Sequence, residues 1–341
     1  MSAKLNIFIT GATGYVGGSV VARLLKHPKF ATFKVTALVR SVEKAEKLKT
    51  LGVETILGSY DDLEVLKKAA SEADVVFAIA DSDNVAAAQA IADGLKKRHA
   101  DTGKVPTLIH TSGTANIADN ALGMHSDHKV YSDLDVEAIE ALPPTQLHRT
   151  VDLLVLNADK EGYLKSYIIT PGTVFGTPSG PLVDLGIQNT HSIQFPYFIR
   201  AAIDRKQGGY IGAGKNVWCA ADVDETADVY IVLFNAILGN PASAGHGRDG
   251  WYFVESCEYT AIDVAKRISE DLVELGVGTN PAPSAFSPEE NTKYFGNFWP
   301  VLATNSRAKA DRARALGWKP VKGTNDLLDT LKAEIEFNLK K

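Results

Sequence analysis

Three glycines, Gly11, Gly14 and Gly17, stand three residues apart in IFITGATGYVGG. Residues without a Cβ at this spacing let backbone N–H groups come up against a phosphate. The apolar run 7–9 before them reads as a strand buried on both faces. Val16, Val20, Val21, Leu24 and Leu25 read as the apolar stripe of a helix starting near Tyr15 and ending near 26–28. Strand, glycine turn and helix in that order are the context in which a glycine triplet holds a dinucleotide pyrophosphate at a helix N-terminus. Gly11 would allow the turn, Gly14 the approach of the pyrophosphate and Gly17 the close packing of helix on sheet. Thr13, Tyr15 and Val16 belong to the same cofactor-binding turn.

A second group with chemistry follows the strand expected over 34–39. At this position an acid would bind the adenosine ribose 2′-OH, whereas an arginine accommodates a 2′-phosphate. The strand end carries Arg40 and Ser41 and no acid. The guanidinium can grip a phosphate bidentately, so NADP(H) is expected rather than NAD(H). Tyr60 and Asp61, after a third strand over 54–57, would lie beside the adenine. Asp61 or Asp62 would also cap the next helix. Ala80 ends a fourth strand over 74–80. Thr111 and Ser112 follow a fifth over 107–110, at the carboxyl edge where a parallel sheet binds its ligands. Ser112 would face the nicotinamide, with Thr114 beside the substrate.

Strands alternate with helices at the spacing of right-handed β-α-β units, which makes the fold α/β: a Rossmann-type, doubly wound parallel sheet with a smaller C-terminal substrate lobe. The chain of 341 residues is 45% apolar with a net charge of −5. That balance disfavours nucleic acid or an anionic membrane as partner. No apolar run reaches about 18 residues and no signal peptide precedes the first strand, so a cytoplasmic protein is expected. Its partner would be a small-molecule substrate, with a second copy forming a homodimer as a further candidate. Cys219 and Cys257 read as reduced thiols, with Cys219 buried in NVWCA. His125 and His128 lie in a polar stretch without further ligands at metal spacing, so no metal is expected.

TGATGYVGG, ALVRS, HTSGT, ITPGTVFG and SRAKADRARALGWKP together resemble the extended or atypical short-chain dehydrogenase/reductases, which include nucleotide-sugar epimerases, dihydroflavonol reductases and cinnamoyl-CoA reductases. LPPTQLHRTVDLLVLNA, IQFPYFIRAAI and NVWCAADVDETADVY are similar to fungal-type epimerase/dehydratase-like proteins. The resemblance implies a Tyr-x-x-x-Lys pair on the helix after strand five. None of the eleven tyrosines has a lysine four residues later: Tyr131 is followed by Asp135, and Tyr163 by Tyr167. The helix that should carry the pair falls at about 146–158, where His148 and Asp152 fill the two positions on one helical face. A histidine can donate a proton to a developing alkoxide near neutral pH. An aspartate can orient it, or accept from ribose hydroxyls. The expected catalytic set is therefore His148 and Asp152, with Ser112 or Thr114 polarising a carbonyl. The alternative is an ordinary i,i+4 pair with no catalytic role.

The same resemblance implies that Pro171, Thr173 and Val174, after a strand over 166–170, carry the nicotinamide amide. A dinucleotide-binding domain over 1–177 would lead into a substrate lobe over 178–341, with parts of 206–256 returning to the sheet. In that lobe His191, Gln194 and Tyr197 are candidates for meeting a polar ligand, and the aromatic cluster 294–299 for flooring the pocket. Strands are expected over 206–214, 217–221 and 251–254, and helices over 224–238, 260–275, 306–316 and 324–339, with a loop over 280–287. The expected function is NADP(H)-dependent hydride transfer to or from a small carbonyl or hydroxyl compound. The alternatives are an epimerase, isomerase or lyase that retains its cofactor, and a non-catalytic NADP(H) sensor.

Overall fold

In the computed structural model, residues 4–340 are described. The first apolar run forms β1 (Leu5–Thr10), buried over its last four residues, and the glycine turn leads into α1 (Tyr15–Leu25). The alternation then runs β2 (Phe33–Val39), α2 (Val42–Thr50), β3 (Glu54–Leu57), α3 (Leu63–Ser71), β4 (Val75–Ala78), α4 (Val85–Thr102) and β5 (Thr107–Thr111). A polar excursion contributes β6 (Tyr131–Ser132) and α5 (Val136–Glu140) before α6 (Arg149–Lys160), β7 (Lys165–Pro171) and β8 (Thr173–Phe175). Then come α7 (Pro181–Asp184), α8 (Gln194–Arg205), β9 (Gly209–Tyr210), β10 (Val217–Asp222), α9 (Val223–Gly239), β11 (Trp251–Val254), β12 (Cys257–Thr260) and α10 (Ala261–Glu274). The chain continues through β13 (Ser284–Ala285), α11 (Pro288–Phe295), α12 (Trp299–Leu302), β14 (Ala308–Lys309), α13 (Asp311–Ala315) and α14 (Thr324–Leu339).

The main sheet has seven strands in the order β11-β7-β5-β4-β1-β2-β3, every neighbouring pair parallel. The strand order reverses between β1 and β4, and a doubly wound sheet binds its ligand in the crevice at this reversal. Thr10 Oγ1 accepts from the backbone N–H groups of Ile79 and Ala80, which fixes the floor of that crevice.

One helix from the second half completes this layer. Helix α9 lies on α1, where Arg23 pairs with Asp224 and Asp228. Its Phe234 packs edge-on against Phe33 and Phe77 in the main core. A second core forms around Phe175, Phe195, Trp218, Tyr259 and Leu331, where β8, α8, β10, β12 and α14 meet.

Two expected elements differ. The strand expected over 206–214 shrinks to Gly209–Tyr210, which pairs with Ser284–Ala285 inside the expected loop and not with the main sheet. Gly212 and Gly214 take positive φ (61° and 66°), which ends any extended run. The helix expected over 306–316 is confined to Asp311–Ala315. Its first residues are held alongside β10 instead: Ser306 N–H donates to Val217 O and Cys219 N–H to Ser306 O. Strand pairing there takes up backbone groups that a helix would have needed.

Candidate active site

The glycine turn closes on itself through Gly14 N–H donating to Gly11 O at 2.8 Å. Gly11 has φ +74°, and a Cβ there would lie 2.9 Å from the Ala80 nitrogen. A Cβ on Gly17 would lie 2.1 Å from Gly11 O. Gly17 therefore serves the contact of α1 with the turn, and not the helix-on-sheet contact expected for it. A cleft of about 620 Å³ opens from this turn. Gly11, Thr13 and Gly14 form one wall, and Arg40, Lys44, Tyr60 and Asp61 the other, with Ala80 below. Arg40 is exposed, and no hydrogen bond or ion pair engages its side chain among the described residues. Ser41 Oγ accepts from Lys44 N–H as the N-cap of α2. Burial pushes the Tyr60 phenol up to about 12, so it is a neutral wall of the cleft.

Tyr15 does not present its hydroxyl to the cleft. It is buried, and the hydroxyl donates to Gly176 O, tying α1 to the turn after β8. Val16 beside it is half-buried. Gln188 Nε2 donates to Tyr15 O and Ser19 Oγ, and Asn189 N–H donates to Thr13 O. Residues 188 and 189 thus strap the glycine turn from above.

The chain departs most from expectation at 148. His148 precedes α6 as its N-cap, with φ +65°, and so does not share a helical face with Asp152. The left-handed backbone is held by Asp83, whose Oδ1 accepts from His148 N–H at 3.1 Å and lies 2.9 Å from Nδ1. Ser82 Oγ is 3.0 Å from the same ring nitrogen. An ionised carboxylate only accepts, so Nδ1 carries the hydrogen and Nε2 is left for proton exchange. The hydrogen bond from His148 holds the Asp83 carboxyl below its ordinary range, which keeps it ionised at neutral pH. Nε2 faces Gly113, where a Cβ would approach it to 2.9 Å. The imidazole borders a second cavity of about 270 Å³ together with Thr114, Pro171, Gln194 and Tyr197.

Asp152 is fully buried; its backbone N–H donates to His148 O at 3.1 Å, but its carboxylate makes no hydrogen bond to the imidazole. Its Oδ2 accepts from Ser112 Oγ at 3.0 Å and from Asn116 Nδ2 at 3.2 Å. Its Oδ1 is unpartnered and lies 3.7 Å from His110 Nε2, also buried and unpartnered. Asp152 is therefore an anchor below the site, out of reach of a ribose, where a carboxylate faces the N-terminus of α6. Ser112 donates its hydroxyl hydrogen to that anchor and does not border the cavity, whereas Thr114 does.

Burial lifts the Asp152 carboxyl to about 6, against the hydrogen bonds from Ser112 and Asn116. Burial likewise lowers the His110 imidazole to about 4. A carboxyl raised on folding favours the folded state most below its unfolded pKa, and that contribution fades as pH rises through about 6. Asp152→Asn keeps one oxygen for Ser112 and Asn116 and turns an N–H towards the neutral His110. The variant should match or exceed the parent in Tm at pH 7, with the difference shrinking or reversing at pH 5. A loss of several degrees at pH 7 would contradict the cost assigned to burying the charged carboxyl; thermal unfolding at the two pH values reads it.

The remaining expected residues divide. Thr111 Oγ1 pairs with the Tyr230 hydroxyl behind the sheet. Thr173 Oγ1 donates to Gln194 Oε1 and meets the Tyr259 hydroxyl, so its side chain braces Gln194. Val174 is half-buried. His191 lies away from the cavity, stacked on Phe337 and paired with Glu334. Cys219 is buried, and desolvation raises its thiol to about 12. His128 Nε2 bonds Ile117 O, His125 pairs with Asp127, and among the described residues no three ligating side chains gather. Sequence reasoning missed Ser82 and Asp83 in DSDN, Lys44, and Asn116. The first two follow β4 at the strand reversal, which was the available signal.

With this geometry in place, known proteins supply a comparison. Residues 3–118 match the NmrA-like family. "Oxidase ucsJ" of Acremonium sp. is 29% identical over 92% of this chain and 92% of its own. The UDP-glucuronic acid 4-epimerase of Bacillus cereus, solved with UDP-glucuronic acid and NAD, superposes with a TM-score of 0.66 at 15% identity, over 98% of this chain and all of that one (100%). The yeast methylglyoxal/isovaleraldehyde reductase Gre2, complexed with NADPH, gives 0.59 at 15% identity over 98% and 99%. The fold is the one these epimerase and reductase structures share. The likeness drawn from the sequence motifs thus holds for the fold. Within this fold the chain places a histidine and a buried aspartate after strand five, and the described residues contain no helix long and apolar enough to cross a membrane.

Proposed function

We propose that the protein is an NADP(H)-dependent oxidoreductase acting on a carbonyl or hydroxyl carbon held beside His148. The observation that carries this reading is the Asp83–His148 pair, which borders the second cavity with Nε2 towards Gly113, while residues 81 and 84 of the same loop border the glycine-turn cleft. The cleft suits a nicotinamide dinucleotide, because its wall is a turn whose shape needs glycine: a Cβ at Gly11 would strike the backbone of residues 79 and 80, and one at Gly17 the turn itself. Gly11, Thr13 and Gly14 would hold the pyrophosphate, and Arg40 with Lys44 the 2′-phosphate. When bound, the nicotinamide supplies or accepts the hydride. The chain's own work is to hold the substrate oxygen between the Thr114 hydroxyl and His148 Nε2 and to give or take one proton at Nε2. Asp83 stabilises the imidazolium and keeps Nε2 aimed at the cavity.

Consumption of NADPH over a panel of aldehydes and ketones tests the reading; binding without turnover would favour a sensor. A cofactor-retaining epimerase or lyase draws support from the strap of Gln188 and Asn189 over the glycine turn. That reading expects NADP to remain bound through purification and isomerisation without net NADPH loss. For coenzyme choice, Arg40→Ser should raise the Kd for NADPH by roughly 10–100-fold, the worth of a charge-assisted contact, and leave NADH binding unchanged. Equal effects on both coenzymes, read by fluorescence titration, would remove Arg40 from the 2′-phosphate.

A further inference from the structure

Resting on the reductase reading, we infer that the cavity beside His148 takes a neutral, largely apolar carbonyl compound and rejects substrates bearing a carboxylate or phosphate. Its walls are Ala115, Leu147, Trp218, Val301 and Leu302. Trp218 donates its indole N–H to Thr304 O, so it offers the cavity only its ring. Gln194 is engaged with Thr173 and Tyr259. No lysine or arginine borders the cavity among the described residues; Arg40 and Lys44 face the other cleft. The one fixed charge on its wall is the Asp83 carboxylate.

An anionic substituent would leave water for a site whose one cation, the His148 imidazolium, is already paired with the Asp83 carboxylate, which is the costly way to bury an ion. A single carbonyl oxygen, by contrast, finds its donors at His148 and Thr114 and leaves the rest of the molecule against hydrocarbon. The rim continues the pattern. Ile193 is 74% exposed and Phe298 43% exposed, and both border the cavity. Exposed apolar residues gathered at a cavity mouth mark a binding surface. They would carry an apolar tail that a cavity of about 270 Å³ does not enclose.

The test uses matched pairs on the full chain. With NADPH present, methyl benzoylformate should be reduced with kcat/KM at least about tenfold above benzoylformate, because only the acid is charged. In parallel, calorimetry on the NADP-saturated protein compares methyl mandelate with mandelate. Tighter binding of the ester supports the inference even where turnover fails, and turnover failure alone then counts against the reductase reading. Equal or better use of benzoylformate, tighter binding of mandelate, or binding of neither overturns the inference. Ile193→Arg, which places a cation at the rim, should narrow the ester-to-acid ratio; an unchanged ratio would count against the rim's part in it.

Discussion

Replacing His148 with alanine should lower kcat for NADPH consumption by roughly 10²–10⁴-fold, the usual worth of a positioned general acid. The Kd for NADPH should stay within a few-fold, because the glycine turn and Arg40 lie in the other cleft. The backbone at 148 complicates the alanine variant. A φ of +65° costs an alanine about 1–2 kcal/mol. Asparagine tolerates that conformation and lacks the imidazole, so His148→Asn separates chemistry from strain. Both variants should lose turnover alike. Turnover within threefold of the parent in His148→Asn would reject the proton-donor role. Asp83, held below its ordinary range by His148, stays ionised through the neutral range. Any loss of rate between pH 5 and 8 therefore has another source.

The second large effect is expected at Gly17. A Cβ there would stand 2.1 Å from Gly11 O and 2.8 Å from Gly11 C, both backbone atoms of the glycine turn. Relief requires the helix or the turn to move, and either movement spoils the row of N–H donors that a pyrophosphate would meet. Gly17→Ala should raise the Kd for NADPH by at least about tenfold and cost roughly 1–3 kcal/mol of stability, the usual price of overpacking. Gly18→Ala is the informative contrast. The nearest atoms to its Cβ all belong to the Gln188 side chain, so the strap and not the turn backbone would have to give. Coenzyme titration and thermal unfolding of the two variants should rank Gly17 well above Gly18. The reverse order would mean that the turn is not the seat of coenzyme binding.

The parts legible in the sequence were those whose cause is local. β1, the glycine turn and α1 are neighbours in the chain, and their period and spacing state the turn directly. Arg40 was readable because it follows β2 at once. The surroundings of His148 were not, since its backbone conformation is set by Asp83, far away in the sequence at the end of β4. Counting residues placed 148 and 152 on one helical face, but the helix begins at Arg149. The burial of Asp152 beneath Ser112 and Asn116 joins β5, the turn after it and α6, and no spacing rule encodes that meeting. His191 misled for a similar reason. A histidine in a polar loop reads as ligand-facing, yet Glu334 and Phe337 of the last helix claim its ring. Tyr15 was read as part of the coenzyme turn, and its partner, Gly176 O, lies beyond β8.

The most direct measurement is a crystal structure of the protein soaked with NADP. The 2′-phosphate should lie on Arg40 and the nicotinamide ring beside Gly113, with His148 Nε2 turned towards the cavity bordered by Thr114 and Tyr197. A ring lying in solvent, or an imidazole turned to bulk water away from it, would contradict the assignment of His148 as the proton donor.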